Sequence, residues 1–297
     1  MERVKSVGIV VVTYNRLALL KEVIAALREQ TYTDAQIVVV NNGSTDGTLA
    51  WLESQRDIIT ISQSNLGGAG GFFTGMKYVV ENGYRYCWIM DDDVVCKPEA
   101  LQELLDAGRR KENIGFVCSR VIGINGCSMN VPTVDERPTA NGYPDYTDLI
   151  SYQMIKVVMA TFVSVLLPTS VIREMGLPYK EFFIWGDDLE YTSRISSKYD
   201  CYLACQSVVM HKRVLQGALS FFTETNPQRL RNYFYAFRNQ TYTLWKKATF
   251  KEKVKCLVGR FILLLKLLCK GDFLRFSILL KATWATLAFK PQIEYPN

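Results

Sequence analysis

The sequence predicts an α/β fold with a mostly parallel sheet flanked by helices, followed by a basic helical extension. Short apolar runs rich in β-branched residues alternate with segments of helical spacing, which is typical of a parallel, doubly wound sheet. Polar clusters follow the predicted strands, at the sheet edge where such folds bind ligands. With 48% hydrophobic residues among 297, the chain can bury one large or two modest cores.

Five elements can be assigned in order before residue 63. Residues 7–12 and 36–40 are continuous apolar runs that predict buried strands, and residues 58–62 predict a shorter strand. Residues 17–28 and 48–54 have helical spacing and predict the helices between these strands. Because TYNR, NNGSTDG and SNLGGAGG follow the three strands, we expect a ligand site at their carboxyl ends.

The next strand, predicted over residues 86–90, runs directly into three aspartates. Residues 115–144 are rich in Gly, Asn, Pro and Ser, which predicts loops with short strands. Residues 156–168 form a second apolar strand region, and residues 182–198 carry the segment FFIWGDDLEYTSRISSK. We expect long, basic, aromatic helices after Asn226.

The net charge of +6 is divided unevenly along the chain. Residues 1–228 hold 21 Lys and Arg against 26 Asp and Glu, whereas residues 229–290 hold 14 against 2. Two regions with different partners are therefore expected. The eight cysteines lack paired CxxC spacing, and the N-terminus lacks the features of a secretory signal, so we expect reduced thiols in the cytoplasm.

Four glycines in SNLGGAGGFFTGM, at positions 67, 68, 70 and 71, lie where a loop precedes a predicted helix. Glycine lets the backbone approach a ligand, and a helix start offers free N–H groups to polar atoms. The segment is neither a Walker loop nor a clean GxGxxG pattern. A tight turn without a ligand is the alternative interpretation.

The segment VVVNNGSTDGT combines a helix start with two amide side chains. Ser44 or Thr45 is a candidate cap for the helix that begins near Gly47, and capping explains much of the motif. Asn41 and Asn42 add amide donors and acceptors that suit the edge of a nucleotide base.

Asp91, Asp92 and Asp93 end an apolar strand, although adjacent like charges repel and resist burial. A turn and an N-cap before the helix expected near Pro98 would account for one of them. A hard divalent cation accounts for the cluster better, because Mg²⁺ and Mn²⁺ take carboxylate, phosphate and water oxygens as ligands. The cluster therefore predicts a Mn²⁺ or Mg²⁺ site.

A second acidic group, Asp187, Asp188 and Glu190, lies in FFIWGDDLEYTSRI. The i, i+4 spacing of Glu190 and Arg194 predicts an ion pair on a helix. Asp187 and Asp188 fall at the helix start, where a carboxylate either caps the helix or faces a pocket as a general base. His211 is the only histidine and follows an apolar strand, so a structural role and a ligand role both stay open.

Taken in order, these motifs resemble glycosyltransferase family 2 over about residues 5–240. The NLGGAGGF and WGDDLEY variants are most similar to its bacterial galactofuranosyl- and rhamnosyltransferase branch. The resemblance implies an inverting enzyme with the Rossmann-like GT-A fold. Its catalytic domain would span residues 1–228, with a nucleotide-sugar half over about 1–115 and an acceptor half over about 116–228.

The resemblance implies a metal site and a base. Asp91 and Asp93 would be the metal ligands of a DXD pattern, with His211 as a third ligand and Asp92 facing the sugar or ribose. Asp188 matches the family's general base, which would take the proton from an acceptor hydroxyl as that oxygen displaces the nucleoside diphosphate.

The resemblance also implies contacts to both substrates. Trp185 and Asp187 would line the acceptor site, although a core tryptophan explains Trp185 alone equally well. Many relatives have Asp where Asn41 stands, which leaves the base of the donor open. The implied nucleotide-sugar residues are Thr13, Tyr14, Asn15, Arg16, Asn41, Asn42, Asn65, Gly67, Gly68 and Asp92.

Residues 229–297 predict a basic amphipathic region of two or three helices, with Gly271 as a break. Lys and Arg interrupt its apolar runs, so none reaches the ~18 apolar residues of a spanning helix. Basic helices with Trp, Phe and Leu suit the surface of an anionic bilayer, and we expect peripheral membrane contact through residues 229–290. Packing on the catalytic domain or on a second subunit is the alternative.

The predicted function is transfer of a sugar from UDP-galactofuranose or another UDP- or dTDP-hexose to a cell-surface glycan or lipid-linked acceptor. A rhamnosyltransferase using dTDP-rhamnose is the alternative, and a homo-oligomer stays open. The expected location is the cytoplasmic face of the cell membrane. A non-catalytic glycan-binding or nucleic-acid-binding protein is the alternative class. Because the acidic motifs do not favour binding to a negatively charged polymer, no nucleic-acid partner is expected.

Overall fold

A computed structural model describes residues 4–213, 217 and 219–297 of the chain. In this part of the chain, ten strands form a sheet that is covered by helices, and three further helices follow. The strands are β1 (Val7–Thr13), β2 (Ala35–Asn41), β3 (Ile58–Ser62), β4 (Tyr86–Asp91), β5 (Val94–Cys96), β6 (Ile114–Gly123), β7 (Thr133–Val134), β8 (Met154–Met159), β9 (Val165–Pro168) and β10 (Asp200–His211). The helices are α1 (Leu17–Arg28), α2 (Thr48–Glu53), α3 (Gly67–Glu81), α4 (Ala100–Gly108), α5 (Thr169–Met175), α6 (Asp187–Ser196), α7 (Pro227–Lys247), α8 (Phe250–Cys269) and α9 (Phe273–Ala288).

The strands follow the order β3-β2-β1-β4-β9-β6-β10-β8-β7 across the sheet, and β5 pairs with β10. The first four strands in this order are parallel, as predicted. In their register, Thr13 lies opposite Asn41 and Val12 lies opposite Asp91. The polar residues after β1, β2 and β4 therefore meet at one edge, and the predicted α/β architecture is confirmed.

Successive residues of β1 alternate between two apolar cores on opposite faces of the sheet. Ile9 and Val11 pack in the core beneath α1 and α4, whereas Val10 and Val12 pack in the core beneath α3 and α6. Both faces of this strand are buried. A continuous apolar run is therefore required there, which is why residues 7–12 predict a strand so clearly.

The second half of the sheet is mixed, because β9 enters between β4 and β6 and runs antiparallel to both. The apolar region predicted over residues 156–168 forms β8 and β9 with a connection between them. The sequence analysis does not anticipate β5, which follows the aspartates and pairs antiparallel with β10. In that pairing Val94 lies opposite His211, so the histidine comes next to Asp93.

The three C-terminal helices pack on one another and on the α/β part. Gly271, with φ +68°, separates α8 from α9 at the predicted break. Leu230, Leu267 and Leu279 contribute to a separate small core among these helices. After α9 the chain returns to the α/β part, where Leu177 N donates to Glu294 O (2.8 Å). Among the described residues, no helix combines the length and the apolar character needed to cross a bilayer.

Candidate active site

Three aspartates close β4 at the sheet edge, and residues that follow β1 compensate part of their charge. The Thr13 hydroxyl donates to Asp92 Oδ2 (2.7 Å), while Arg16 Nη1 donates to Asp92 Oδ1 (3.2 Å) and Asp93 Oδ2 (2.8 Å). Asp92 and Asp93 are buried, and Asp91 is half-buried. Arg16 therefore supplies part of the positive charge that a buried acidic trio requires.

Asp91, Asp93 and His211 form a group with the donor atoms to hold a cation. One ligand atom from each lies within 4.8 Å of the others. His211 Nε2 is 3.1 Å from Asp93 Oδ1, yet this buried oxygen has no hydrogen-bond partner among the residues that the structure describes. Two carboxylates and an imidazole are a donor set that suits a divalent cation, so these residues fit the predicted metal.

Asn130 orients the imidazole of His211, and the sequence analysis missed it. His211 Nδ1 lies 2.9 Å from Asn130 Oδ1. Because an amide oxygen accepts hydrogen bonds, this contact holds the ring so that Nε2 faces Asp93. Asn130 lies in the loop-rich stretch 115–144, where one more asparagine gives no signal.

Crowding changes the acid–base properties of the trio. Burial and repulsion from Asp93 raise the pKa of Asp91. Burial raises the pKa of Asp92 to about 6, although Arg16 acts in the opposite direction. Burial would raise the pKa of Asp93 too, but His211 and Arg16 outweigh it and hold that pKa below its usual value. The trio therefore holds a proton readily unless a further cation joins it.

The turn after β1 is held against the turn after β2. Asn15, with φ +53°, accepts a hydrogen bond from Thr45 N (2.6 Å), and its own N–H donates to Ser44 Oγ (2.9 Å). Asn41 Oδ1 accepts from Ser44 N (3.0 Å). The expectation that Ser44 or Thr45 caps α2 is wrong, because both bond to the neighbouring turn. Asp46 accepts from the first N–H of α2 instead (3.2 Å).

Asn42 and Asn65 shape the start of α3. Asn65 Oδ1 accepts from Gly67 N (2.9 Å), and Asn42 Nδ2 donates to Gly67 O (2.7 Å). Asn42 Oδ1 accepts from Gln63 Nε2 (2.7 Å), so both ends of this amide have protein partners. Gly67 has φ +74°, and a Cβ there would overlap the carbonyl oxygen of Phe183. The predicted contacts of these residues with a nucleotide stay predictions.

Asp187 and Asp188 lie at the start of α6, where the sequence predicts them. Burial raises the pKa of Asp188 to about 6. Burial and repulsion from Asp188 also raise the pKa of Asp187. Glu190 and Arg194 form a buried ion pair (3.1 Å), and Arg194 Nη2 also donates to Leu177 O (3.0 Å), so this pair has a structural role. The ion pair on the same helix does not include Asp187 or Asp188.

A cavity of about 520 Å³ joins the acidic trio to the start of α6. Trp185 lines this cavity and packs edge-on against Tyr233, with 5.1 Å between the ring centroids. The C-terminal region contributes Arg229 and Asn232 from α7, which the sequence analysis did not single out. The predicted residues that line the cavity are Arg16, Gly68, Asp91, Asp92, Asp93, Trp185, Asp187, Asp188 and His211.

The other predicted residues lie outside the lining of this cavity. Two of them form hydrogen bonds to residues next to or in the lining: Thr13 donates to Asp92, and Asn65 accepts from the N–H of Gly67, the first residue of α3. Tyr14 is exposed at 41%. The full set outside the lining is Thr13, Tyr14, Asn15, Asn41, Asn42, Asn65 and Gly67.

Comparison with known families decides the class of the protein. The sequence model of the glycosyl transferase family 2 matches residues 8–174. The chain belongs to glycosyl transferase family 2. This range includes the motifs after β1, β2, β3 and β4, whereas Asp188 and His211 lie beyond it. The predicted family and enzyme class, a glycosyltransferase, are confirmed.

Individual relatives agree with this assignment. Galactofuranosyltransferase GlfT1 of Mycobacterium tuberculosis (strain ATCC 25618 / H37Rv) is 28% identical over 229 residues, which cover 74% of this chain and 67% of GlfT1. The structure of S. aureus TarS 1–349 with UDP-GlcNAc has a TM-score of 0.56 at 13% identity and covers 84% of this chain and 70% of that one. The structure of GalNAc-T7 with UDP, GalNAc and Mn²⁺ has a TM-score of 0.61 at 13% identity, over 82% of this chain and 48% of that one. These two structures confirm the GT-A fold.

Replacing Gly67 by Ala tests whether the start of α3 depends on this glycine. We expect Gly67→Ala to lower the free energy of unfolding by at least about 2 kcal/mol, because the new Cβ overlaps the Phe183 carbonyl and the residue stays at positive φ. Urea denaturation measures this loss. Gly68→Ala is the matched control, since a Cβ there meets no atom within 4 Å. Equal stabilities of the two variants would contradict the prediction.

Proposed function

We propose that the chain is an inverting, metal-dependent glycosyltransferase that moves a hexose from a nucleoside-diphosphate donor to a hydroxyl of a cell-surface glycan or lipid-linked acceptor. One observation carries this proposal: the Asp91, Asp93 and His211 group and Asp188 line the same cavity. A cation site for a diphosphate and a carboxylate with a pKa raised to about 6 are the two groups that this displacement needs.

Asp91, Asp93 and His211 would hold Mn²⁺ or Mg²⁺, and Asp93 Oδ1, which lacks a hydrogen-bond partner among the described residues, supports this. When bound, the ion would stabilise the negative charge that develops on the leaving diphosphate. Asn130 would keep the lone pair of His211 Nε2 available by accepting the proton of Nδ1. Arg16 would keep Asp93 ionised through the hydrogen bond that it donates.

Asp188 would take the proton from the acceptor hydroxyl as the oxygen attacks the anomeric carbon. Because its pKa is raised to about 6, the carboxylate is mainly ionised at neutral pH and is still basic enough to accept a proton. The N–H of Leu189 donates to Asp188 Oδ1 (2.8 Å) and thereby orients the carboxylate. Attack opposite the leaving group would invert the configuration of the anomeric carbon.

The donor that we propose is UDP-galactofuranose or another UDP- or dTDP-hexose, with dTDP-rhamnose as the alternative. GlfT1, a galactofuranosyltransferase by name, supports the galactofuranosyl assignment. The structures of TarS with UDP-GlcNAc and of GalNAc-T7 with UDP support a uridine nucleotide. Tyr14, in the turn after β1, and Asn41, the last residue of β2, would contact the nucleoside.

The location that we propose is the inner face of the cell membrane, with contact through residues 229–290. Large apolar side chains are exposed on α8 and α9, among them Phe261 (61%), Phe273 (67%) and Trp284 (67%). Residues 229–290, which include these helices, hold fourteen Lys and Arg against two Asp and Glu. Such a surface fits an anionic bilayer, where each basic residue contributes on the order of 1 kcal/mol. A lipid-linked acceptor would then be available at the same surface.

Isothermal titration with a panel of UDP-, dTDP- and GDP-sugars, each with and without Mn²⁺, tests the donor site. We expect one donor to bind tightly only when Mn²⁺ is present. Asp93→Ala should abolish this dependence because it removes a proposed ligand, whereas Asp148→Ala, at an exposed position, should bind like the wild type. Equal affinity with and without the metal would refute the proposed metal site.

Replacing Asp188 by Asn tests the base. We expect kcat to fall by about 10²–10⁴-fold because the amide cannot accept the proton, while donor affinity changes little. In the wild type, kcat should be level above about pH 7, half-maximal near pH 6 and fall about tenfold per pH unit below about pH 5, since protonation of Asp188 removes the base. Initial rates from pH 4.5 to 8 measure both effects. Substantial turnover by Asp188→Asn would remove this residue from the role.

Vesicle sedimentation tests the membrane surface. We expect the protein to sediment with vesicles that contain anionic lipid and to do so much less with neutral phosphatidylcholine, because both apolar and charge contacts are needed. Phe261→Ser with Trp284→Ser should release most of the protein. Tyr143→Ser, an exposed aromatic in the α/β part (74%), is the matched control. Unchanged sedimentation of the double variant would contradict the proposal.

A further inference from the structure

The segment between the 3₁₀ helix Lys180–Phe182 and α6 has a strained backbone. Phe183 has φ +63° and ψ −64°, and Ile184 N donates to Phe182 O (2.8 Å). These values define a γ-turn with positive φ, the rarer and more strained of its two forms. Trp185, with φ +62°, is a second non-glycine residue in the left-handed region. A backbone of this kind persists only when its surroundings restrain it.

Asn239 of α7 supplies such a restraint. Its side chain is fully buried, and Nδ2 donates to Phe182 O (2.9 Å) and to Trp185 O (2.9 Å). Phe182 is the first residue of the γ-turn and Trp185 is the residue directly after it, so one amide group bonds to the backbone at the start of the turn and just beyond its end. Asn239 Oδ1 in turn accepts from Arg238 Nε (3.0 Å) and Nη2 (2.9 Å), which fixes the orientation of the amide.

The opposite side of the segment rests on α3. Ala69 N donates to Phe183 O (3.1 Å), next to the glycine whose missing Cβ makes room for this carbonyl. The Phe183 ring stacks on Tyr235 of α7, with 4.7 Å between the ring centroids. The segment is therefore clamped between the glycine-rich start of α3 and the buried face of α7.

The clamped segment leads directly into Asp187 and Asp188, and Gly186, with φ +92°, is the last residue before α6. Rotation of the Trp185 or Gly186 peptide would change the direction in which α6 begins. It would therefore move both carboxylates relative to the acidic trio, which lines the same cavity. The hydrogen bond from Asn239 to Trp185 O opposes such a rotation.

We propose that Asn239 is a positioning residue that holds Asp188 in its reactive orientation through the turn Phe182–Trp185. The inference rests on the proposed role of Asp188 as the base. Asparagine suits this position because its amide offers two hydrogens to two carbonyls and one oxygen to Arg238. Aspartate has nearly the same shape but offers no donor at neutral pH, and its charge repels the two carbonyl oxygens.

Asn239→Asp tests the proposal in the full-length protein, with Gln240→Leu as the matched control. Gln240 is the next residue of α7 and is exposed, so its amide does not reach the turn. Hydrogen–deuterium exchange should become faster in Asn239→Asp at the amides of residues 183–189 and stay unchanged at the acidic trio. Gln240→Leu should exchange like the wild type throughout.

Kinetics give the second readout. With the donor that the titration panel identifies, kcat of Asn239→Asp should fall about 100-fold, because a catalytic group that is misplaced by about 1 Å reacts far more slowly. The KM of the donor should change by less than about threefold. The affinity for UDP with Mn²⁺ should stay the same because its proposed site lies on β4 and β10. Gln240→Leu should keep the wild-type kcat.

The outcomes separate this inference from the proposed function. If no donor is turned over by the wild type, the assignment of the donor fails, and the exchange experiment still decides whether Asn239 holds the turn. Unchanged exchange at residues 183–189, or unchanged kcat despite faster exchange, would overturn the inference. Faster exchange throughout the chain together with weaker UDP binding would also overturn it, because Asn239 would then only stabilise the core.

If Asn239→Asp does not fold, Asn239→Ser takes its place, because serine is uncharged and too short to bond to both carbonyls.

Discussion

Buried negative charge at the end of β4 is the constraint on which the site depends. Three adjacent carboxylates in a partly enclosed position are unfavourable unless positive or donor groups reach them. Thr13 and Arg16 come from the end of β1 because β1 and β4 are parallel neighbours. His211 comes from the far side of the sheet because β5 pairs with β10. The sheet topology therefore brings together the groups that offset the cost of burying the acidic trio. Asp91, Asp93 and His211 of the same assembly have the donor atoms to bind one more cation.

The cavity contains two kinds of carboxylate that differ in their surroundings. Asp93 lies beside His211 and Arg16, which hold its pKa below the usual value. Burial raises the pKa of Asp188 to about 6, and among the described residues no cation offsets this effect. A carboxylate that stays ionised suits a ligand, and one with a raised pKa suits proton transfer. Two different environments in one cavity thus suit the carboxylate of Asp93 to binding a cation and that of Asp188 to proton transfer.

The C-terminal helices are part of this site as well as a candidate membrane surface. Arg229 and Asn232 of α7 line the cavity, and Asn239 holds the turn that precedes Asp187. Arg260 of α8 donates to Thr241 of α7 (3.2 Å), so the helix with exposed apolar side chains is attached to the helix that supports the site. In the proposed arrangement, the surface that contacts lipid and the turn that leads into the helix with the base belong to one packed unit.

The sequence by itself determined the parallel half of the sheet, because central strands such as β1 and β2 need unbroken apolar runs that no other local structure explains. It also pointed to Asp93, Asp188 and His211, since each follows a strand or begins a helix. Only the tertiary structure decided that Asn130 orients the histidine and that Asn239 holds the turn before α6. These contacts join residues 81 and 54 positions apart. Periodicity reports local backbone geometry, whereas the partner of a single buried amide depends on how distant elements pack, so no local pattern reveals it.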